Sequence, residues 1–195
     1  MLQESIRLHR QIGSAAGEAL ACQRLGVLLT AQGEIDKALR VLEEGIMAGE
    51  RAIMRAHCLT RLYAALTSNR LACGDIITAQ QTLALGMTMR DRHGNCKSCD
   101  SLLLPVAVSA SIAQHDLTSA EEFCQQLDLA ATRYGSQAWR AMAAKAYGEL
   151  GLARKNYHQA FQYFTAASRD FEAAGHAYEA QQCTHTLSSL RSPQP

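Results

Sequence analysis

A fifteen-residue pattern recurs four times along the chain, and this repeat constrains the fold more than any other feature. The copies, spaced by 41, 41 and 40 residues, are 31–45, 72–86, 113–127 and 153–167. A small residue holds the same place in each copy, as Ala38, Ala79, Ala120 and Ala160. One such unit is too small to bury its own apolar face, so the spacing predicts that several units pack side by side.

Composition predicts that the repeated unit is helical. The 195 residues include 33 Ala and 24 Leu but only 12 Val plus Ile, a balance that favours helix over sheet. Only three prolines are present, and two of them fall in the last three residues. Because proline disrupts helix interiors, nearly the whole chain is left able to be helical. The fold class predicted is all-α.

Each repeat is expected to form two antiparallel helices. Gly33 and Gly74 suit the end of a first helix, and Asp75, Asp116 and Asn156 suit the N-cap of the second. His115 takes the place of the turn glycine in the third copy. The second helix of each pair is expected to end near a glycine, which is Gly13, Gly49, Gly94, Gly135 or Gly175. The predicted helices are 2–12, 15–32, 35–48, 51–73, 76–91, 101–114, 117–133, 137–153, 157–173 and 176–190.

The predicted organisation is one repeat domain over residues 1–191, followed by a disordered tail at 192–195. It consists of a half repeat at 1–13, repeats at about 14–49, 50–94, 95–135 and 136–175, and a terminal helix at 176–191. Stacked repeats usually end in polar caps, and neither end of this chain has that character. Two interpretations follow: the chain is cut from a longer protein, or its ends pack on another copy in a homo-oligomer.

The repeat resembles the tetratricopeptide (TPR) family. Its signature places are filled in the first copy by Leu25, Gly26, Gly33, Ala38, Leu42 and Gly45. In the fourth copy they are filled by Tyr147, Gly148, Ala160, Phe164 and Ala167. Thr67 and Val108 replace a signature glycine in the other two copies, and the period exceeds the 34 residues of the family. The resemblance implies a right-handed superhelical α-solenoid of about ten helices.

The long period is similar to that of C-terminal repeat regions in bacterial LuxR-type and AfsR-type transcription regulators and TPR-linked cyclases. This similarity implies a protein–protein interaction module, the regulatory or sensor part of a bacterial signalling or transcription regulator. A net charge of +1 gives no reason to expect nucleic acid or an anionic membrane as partner. The longest apolar stretch, about 102–113, is too short to span a bilayer, and a cytoplasmic protein is expected.

The TPR resemblance also implies a concave partner-binding surface lined by the first helices. Its inward positions map onto Leu20, Gln23, Val27, Arg61, Ala64, Ser68, Leu102, Ser109, Met142, Lys145 and Glu149. This mixed lining, with scattered charges, favours an apolar helix or an extended segment of a protein or peptide partner over a charged peptide tail. The alternative is that the surface contacts only the rest of a larger parent protein. The sequence contains no catalytic motif, so no enzyme activity and no organic cofactor are expected.

The segment 92–101 holds the one dense group of soft metal ligands in the sequence. His93, Cys96 and Cys99 have a spacing that suits half a zinc site. The fourth ligand predicted is Cys58, which precedes Cys99 by one 41-residue period, with His57 as its substitute. The alternatives are a disulfide formed under oxidation and inert thiols. A metal- or redox-responsive sensor is therefore the second functional hypothesis, and most other cysteines are expected to be buried apolar residues.

Overall fold

The computed structural model describes residues 1–92 and 96–191. These ranges form ten α-helices and no β-strand, which confirms the all-α prediction. The helices are α1 Leu2–Gln11, α2 Ala15–Ala31, α3 Ile35–Glu50, α4 Arg55–Ala72, α5 Ile76–Arg92, α6 Lys97–Ala113, α7 Leu117–Tyr134, α8 Gln137–Ala153, α9 Tyr157–Ala173 and α10 Ala177–Arg191. His93, Gly94 and the tail at 192–195 lie outside the described residues.

Two helix starts differ from those predicted. The helix predicted from residue 51 begins at Arg55, because α3 runs on to Glu50 and a turn containing the buried Ala52 follows it. The helix predicted from residue 101 begins at Lys97. Its first turn is formed by the amides of Cys99 and Asp100, which donate to the Cys96 carbonyl at 2.8 and 3.0 Å. Cys99 is therefore a helical residue and not a loop residue.

The turns between paired helices are built from the residues that the repeat predicted. Gly33 and Gly74 both have a φ of +78°, in the left-handed region that favours glycine. His115 takes the same conformation at +61°, as the turn residue of the third copy. Asp116 then accepts a hydrogen bond from the Ser119 amide at 3.0 Å and caps α7. Asp75 and Asn156 accept equivalent bonds at 3.1 and 3.3 Å and cap the second helices of their own repeats.

Small residues let the paired helices approach closely. A Cβ added at Gly45 on α3 would lie 2.8 Å from the Cys22 Cβ on α2. In the fourth repeat, a Cβ added at Gly151 on α8 would lie 3.2 Å from the Ala160 Cα on α9. Gly26 on α2 in turn faces Leu42 on α3, so residues later in one helix meet residues earlier in the next. That order of contacts makes the paired helices antiparallel, as predicted.

The chain divides into two compact units, residues 1–106 and 107–195. The first contains a core cluster of eight buried residues, which are Ala19, Leu42, Ala48, Ala52, Cys58, Leu62, Ala65 and Leu66. The second contains a cluster formed by Ala141, Ala160, Phe164, Ala167, Phe171, Ala180 and Cys183.

Five of the seven cysteines are buried, all except Cys73 and Cys96, in agreement with their expected packing role. Among the described helices, none combines the length and the apolar character needed to cross a bilayer.

Candidate functional site

In the first unit, the N-terminal ends of α4 and α6 bring three potential metal ligands close together. His57 is the third residue of α4, Cys96 directly precedes α6, and Cys99 is the third residue of α6. His57 Nδ1 lies 3.2 Å from Cys99 Sγ and 3.6 Å from Cys96 Sγ. The three donor atoms all lie within 4.8 Å of one another. We call these residues the His57–Cys96–Cys99 cluster.

The cluster contains part of the predicted ligand set. Cys96 and Cys99 are present, and His57, the substitute, occupies the place expected for Cys58. Cys58 is fully buried in the core and, among the described residues, is not a member of the cluster. Successive residues of an α-helix point about 100° apart, so only one of two neighbours can face a given site. His93 lies outside the described residues.

Buried and polar contacts hold the first turn of α6 in place. Arg90 on α5 donates from Nε to Asp100 Oδ1 at 2.8 Å, and the side chains are 13% and 2% exposed. Arg61 on α4 donates to the Ser98 carbonyl at 3.4 Å. Both contacts anchor residues next to Cys99. The sequence gives little sign of the Arg90–Asp100 pair beyond an acidic residue placed just before an apolar stretch.

The two thiols lie in different electrostatic environments. Burial raises the pKa of the Cys96 thiol, but hydrogen bonds with Ser98, Cys99 and His57 outweigh it and bring that pKa down to about 6. Burial, followed by the hydrogen bond and charge of Cys96, raises the pKa of Cys99 to about 12. Cys96 is therefore the thiol that ionises first, and its position at the start of α6 also favours the thiolate.

A cavity of about 270 Å³ lies against the cluster. His57, Cys96 and Cys99 form part of its wall, and Met54 and Met89, whose side chains are flexible and polarisable, also line it. Cys96 itself is half-buried, so the cluster has one side in the core and one side towards the cavity. An ion bound there would be reached from the cavity.

In the first unit, the residues predicted to bind a partner differ in their exposure to solvent. Val27 and Ser68 are exposed, whereas Gln23 and Ala64 are buried, with 7% and 2% of their surface accessible. The remaining three, which are Leu20, Arg61 and Leu102, are half-buried. Gln23 and Ala64 thus offer almost no surface to a partner, because tight packing between adjacent helices covers them.

In the second unit the predicted residues form a connected group. Glu149 on α8 makes an ion pair with Lys145 one turn earlier and accepts a hydrogen bond from Ser109 Oγ at 2.9 Å. Met142 on the same helix is half-buried, as are the other three. The negative charge of Glu149 raises the pKa of Lys145, so the cation is retained. We call these four residues the Lys145–Glu149 patch.

Comparison with known proteins adds information on the fold. No family model and no curated protein matches the sequence. Among solved structures, the chain is similar to the crystal structure of BtubC (BKLC) from P. vanneervenii, with a TM-score of 0.67 and 14% sequence identity. The similarity covers 100% of this chain and 92% of BtubC. At such low identity the likeness concerns the all-helical fold alone.

Proposed function

We propose that the chain is a protein–protein interaction module whose helix pairs stack as a right-handed α-solenoid. It acts by binding and not by catalysis. It binds a segment of a partner protein on the exposed faces of the first helix of each repeat, which are α2, α4, α6 and α8. By its resemblance to repeat regions of bacterial regulators, it would serve as the regulatory or sensor part of a signalling or transcription regulator.

The observation that carries this proposal is the Lys145–Glu149 patch. Ion pairing and the Ser109 hydrogen bond hold Glu149 in one arrangement, and a fixed arrangement lowers the entropic cost of binding a partner. Met142 lies one turn before Lys145 and supplies a flexible apolar side chain beside these polar groups. A polar pair next to an apolar contact suits an amphipathic helix or an extended segment with alternating side chains.

The proposal is tested by selecting displayed peptide fragments against the full chain and measuring the affinity of those selected. We expect peptides that bind wild type at least tenfold more tightly than they bind Met142→Ala or Lys145→Ala, because these side chains contact the partner. Glu122→Gln, an exposed substitution on α7, is the matched control and should bind as wild type does. Circular dichroism of each variant checks that it folds.

Two results would count against the interaction module. The first is a selection that enriches no peptide above background. The second is a set of binders whose affinity is the same for wild type and for both patch variants. The regulatory role has its own test. Sequencing the gene on both sides of the region that encodes this chain should reveal a DNA-binding or nucleotide-binding domain in the same polypeptide.

A further inference from the structure

The His57–Cys96–Cys99 cluster has a composition and geometry that the interaction module does not use. We propose that these three residues bind one zinc ion, with two thiolates and one imidazole nitrogen as ligands and a fourth position open to the adjoining cavity. The inference is independent of the proposed partner binding, so either can fail without the other.

The distances between the donor atoms suit tetrahedral coordination. Zinc–sulfur bonds of about 2.3 Å and a zinc–nitrogen bond of about 2.05 Å, at tetrahedral angles, place sulfur and nitrogen about 3.6 Å apart. His57 Nδ1 lies 3.6 Å from Cys96 Sγ and 3.2 Å from Cys99 Sγ. A trigonal arrangement with the same bond lengths would need about 3.8 Å. The two nitrogen–sulfur separations are thus closer to the tetrahedral value than to the trigonal one, and the two sulfur atoms lie within 4.8 Å of each other.

The ligand chemistry favours zinc over the hard cations. Two cysteine sulfurs and a histidine nitrogen form a borderline-soft set, whereas calcium and magnesium take oxygen ligands. Two thiolates and a neutral imidazole also balance the two positive charges of the ion. A neutral site is compatible with the burial of Cys99, because burying a net charge would be costly.

The fold holds the ligands in position before any ion arrives. Cys96 and Cys99 are fixed relative to each other by the first turn of α6, where the Cys99 amide donates to the Cys96 carbonyl at 2.8 Å. The Arg90–Asp100 ion pair ties that turn to α5, and the Arg61 contact with the Ser98 carbonyl ties it to α4, which carries His57. Outer contacts of this kind orient the ligands of metal sites and tune their affinity.

The fourth coordination position distinguishes this site from a structural zinc finger. Structural sites close with four protein ligands, whereas sites with three protein ligands keep one position for water or another small molecule. Among the described residues no fourth His, Cys, Asp or Glu joins the cluster, and the cavity of about 270 Å³ lies beside it. Water fills the fourth position in this proposal, and a small thiol or anion could replace it.

The test is zinc titration of the full chain, reduced and stripped of metal, in competition with a chromophoric zinc chelator. We expect one equivalent of zinc per chain in wild type and in Cys73→Ser, which removes an exposed cysteine elsewhere. Cys96→Ser and His57→Gln should each weaken binding by at least a hundredfold, since each removes a ligand. Substitution by Co²⁺ should give the strong visible absorption of a tetrahedral ion with thiolate ligands.

Each other outcome has a definite meaning. Zinc binding below a tenth of an equivalent in wild type, or binding unchanged in Cys96→Ser, overturns the proposal. The proposal is also overturned if the reduced chain binds no zinc and air oxidises Cys96 and Cys99 to a disulfide, with loss of their two thiol hydrogen atoms. The cluster would then be a dithiol and not a zinc site. Circular dichroism and thermal melting of the apo variants separate lost ligands from lost folding. Because Cys96 is only half-buried, we expect Cys96→Ser to leave the core packing unchanged.

Discussion

Small residues at helix crossings determine how closely the paired helices of this protein pack. Ala38, Ala79, Ala120 and Ala160 occupy one place in the four repeats, and all four are fully buried. The Ala160 backbone lies where Gly151 leaves no side chain between the helices. At such a crossing an added side chain has no space, because protein interiors are packed as densely as molecular crystals.

Replacing Ala79 or Ala120 by leucine is expected to lower the free energy of unfolding by about 1–3 kcal/mol, through overpacking of the helix pair. Urea denaturation of the purified variants measures the change. The control is Ala84→Leu, the same substitution at an exposed position of α5, which should leave stability within about 0.5 kcal/mol of wild type. Equal stability for all the variants would show that the alanines are not at helix crossings.

A second residue-scale feature is the left-handed conformation of His115 and Lys155, with φ of +61° and +58°. We expect His115→Gly to raise the free energy of unfolding by about 0.5–1 kcal/mol. Relief of a strain of about 1–2 kcal/mol outweighs the greater entropy that glycine loses on folding. Thermal melting compares this variant with His115→Ala, which keeps the strain and should show no gain. A lower melting temperature for the glycine variant would mean that the histidine ring contributes stabilising contacts.

At the scale of the elements, local and distant interactions have separate roles. Caps such as Asp116 on the Ser119 amide fix where a helix begins, and they depend only on neighbours in sequence. The ion pair between Arg90 on α5 and Asp100 on α6 fixes how two helices meet. It joins residues ten positions apart, across the segment that carries the two clustered cysteines.

Removing the Asp100 carboxylate is expected to be among the most damaging single changes in the chain. Asp100→Ala should lower the free energy of unfolding by about 3–5 kcal/mol, because it breaks the ion pair between the fully buried Asp100 carboxylate and the largely buried Arg90 guanidinium. Asp100→Asn, which keeps an oxygen acceptor, should have a smaller effect. Chemical denaturation provides the measurement. Glu121→Ala breaks the exposed pair with Arg154 and serves as the control, with little change in melting temperature.

For the whole molecule, the ten helices account for most of the described chain. Far-ultraviolet circular dichroism of the protein should therefore show a helical fraction far above the one third or so that is typical of globular domains. Infrared amide spectra provide an independent measurement of the same fraction. Substantial sheet content in either spectrum would contradict the all-helical fold.

Much of the fold could be predicted because it depends on local sequence. Eight of the ten helices begin within one residue of the predicted start, since caps and turn residues such as Asn156 and Gly74 act within a few residues. The start of α6 was missed by four residues, because Cys96 is not a usual N-cap and no local feature indicates a helix before Ser101.

The candidate sites show the limit of the same reasoning. The repeat related the neighbours His57 and Cys58 on α4 to Cys99, but it could not decide which of the two faces Cys96 and Cys99. The rotation of α4 about its axis decided that, in favour of His57. Likewise, the sequence placed Gln23 and Ala64 on a binding face, and packing between helices buries them.

The sequence by itself determined the helices, their turns and their pairing, because these depend on nearby residues. Only the tertiary structure decided which side chains meet and which stay accessible, because that depends on how residues distant in sequence pack together.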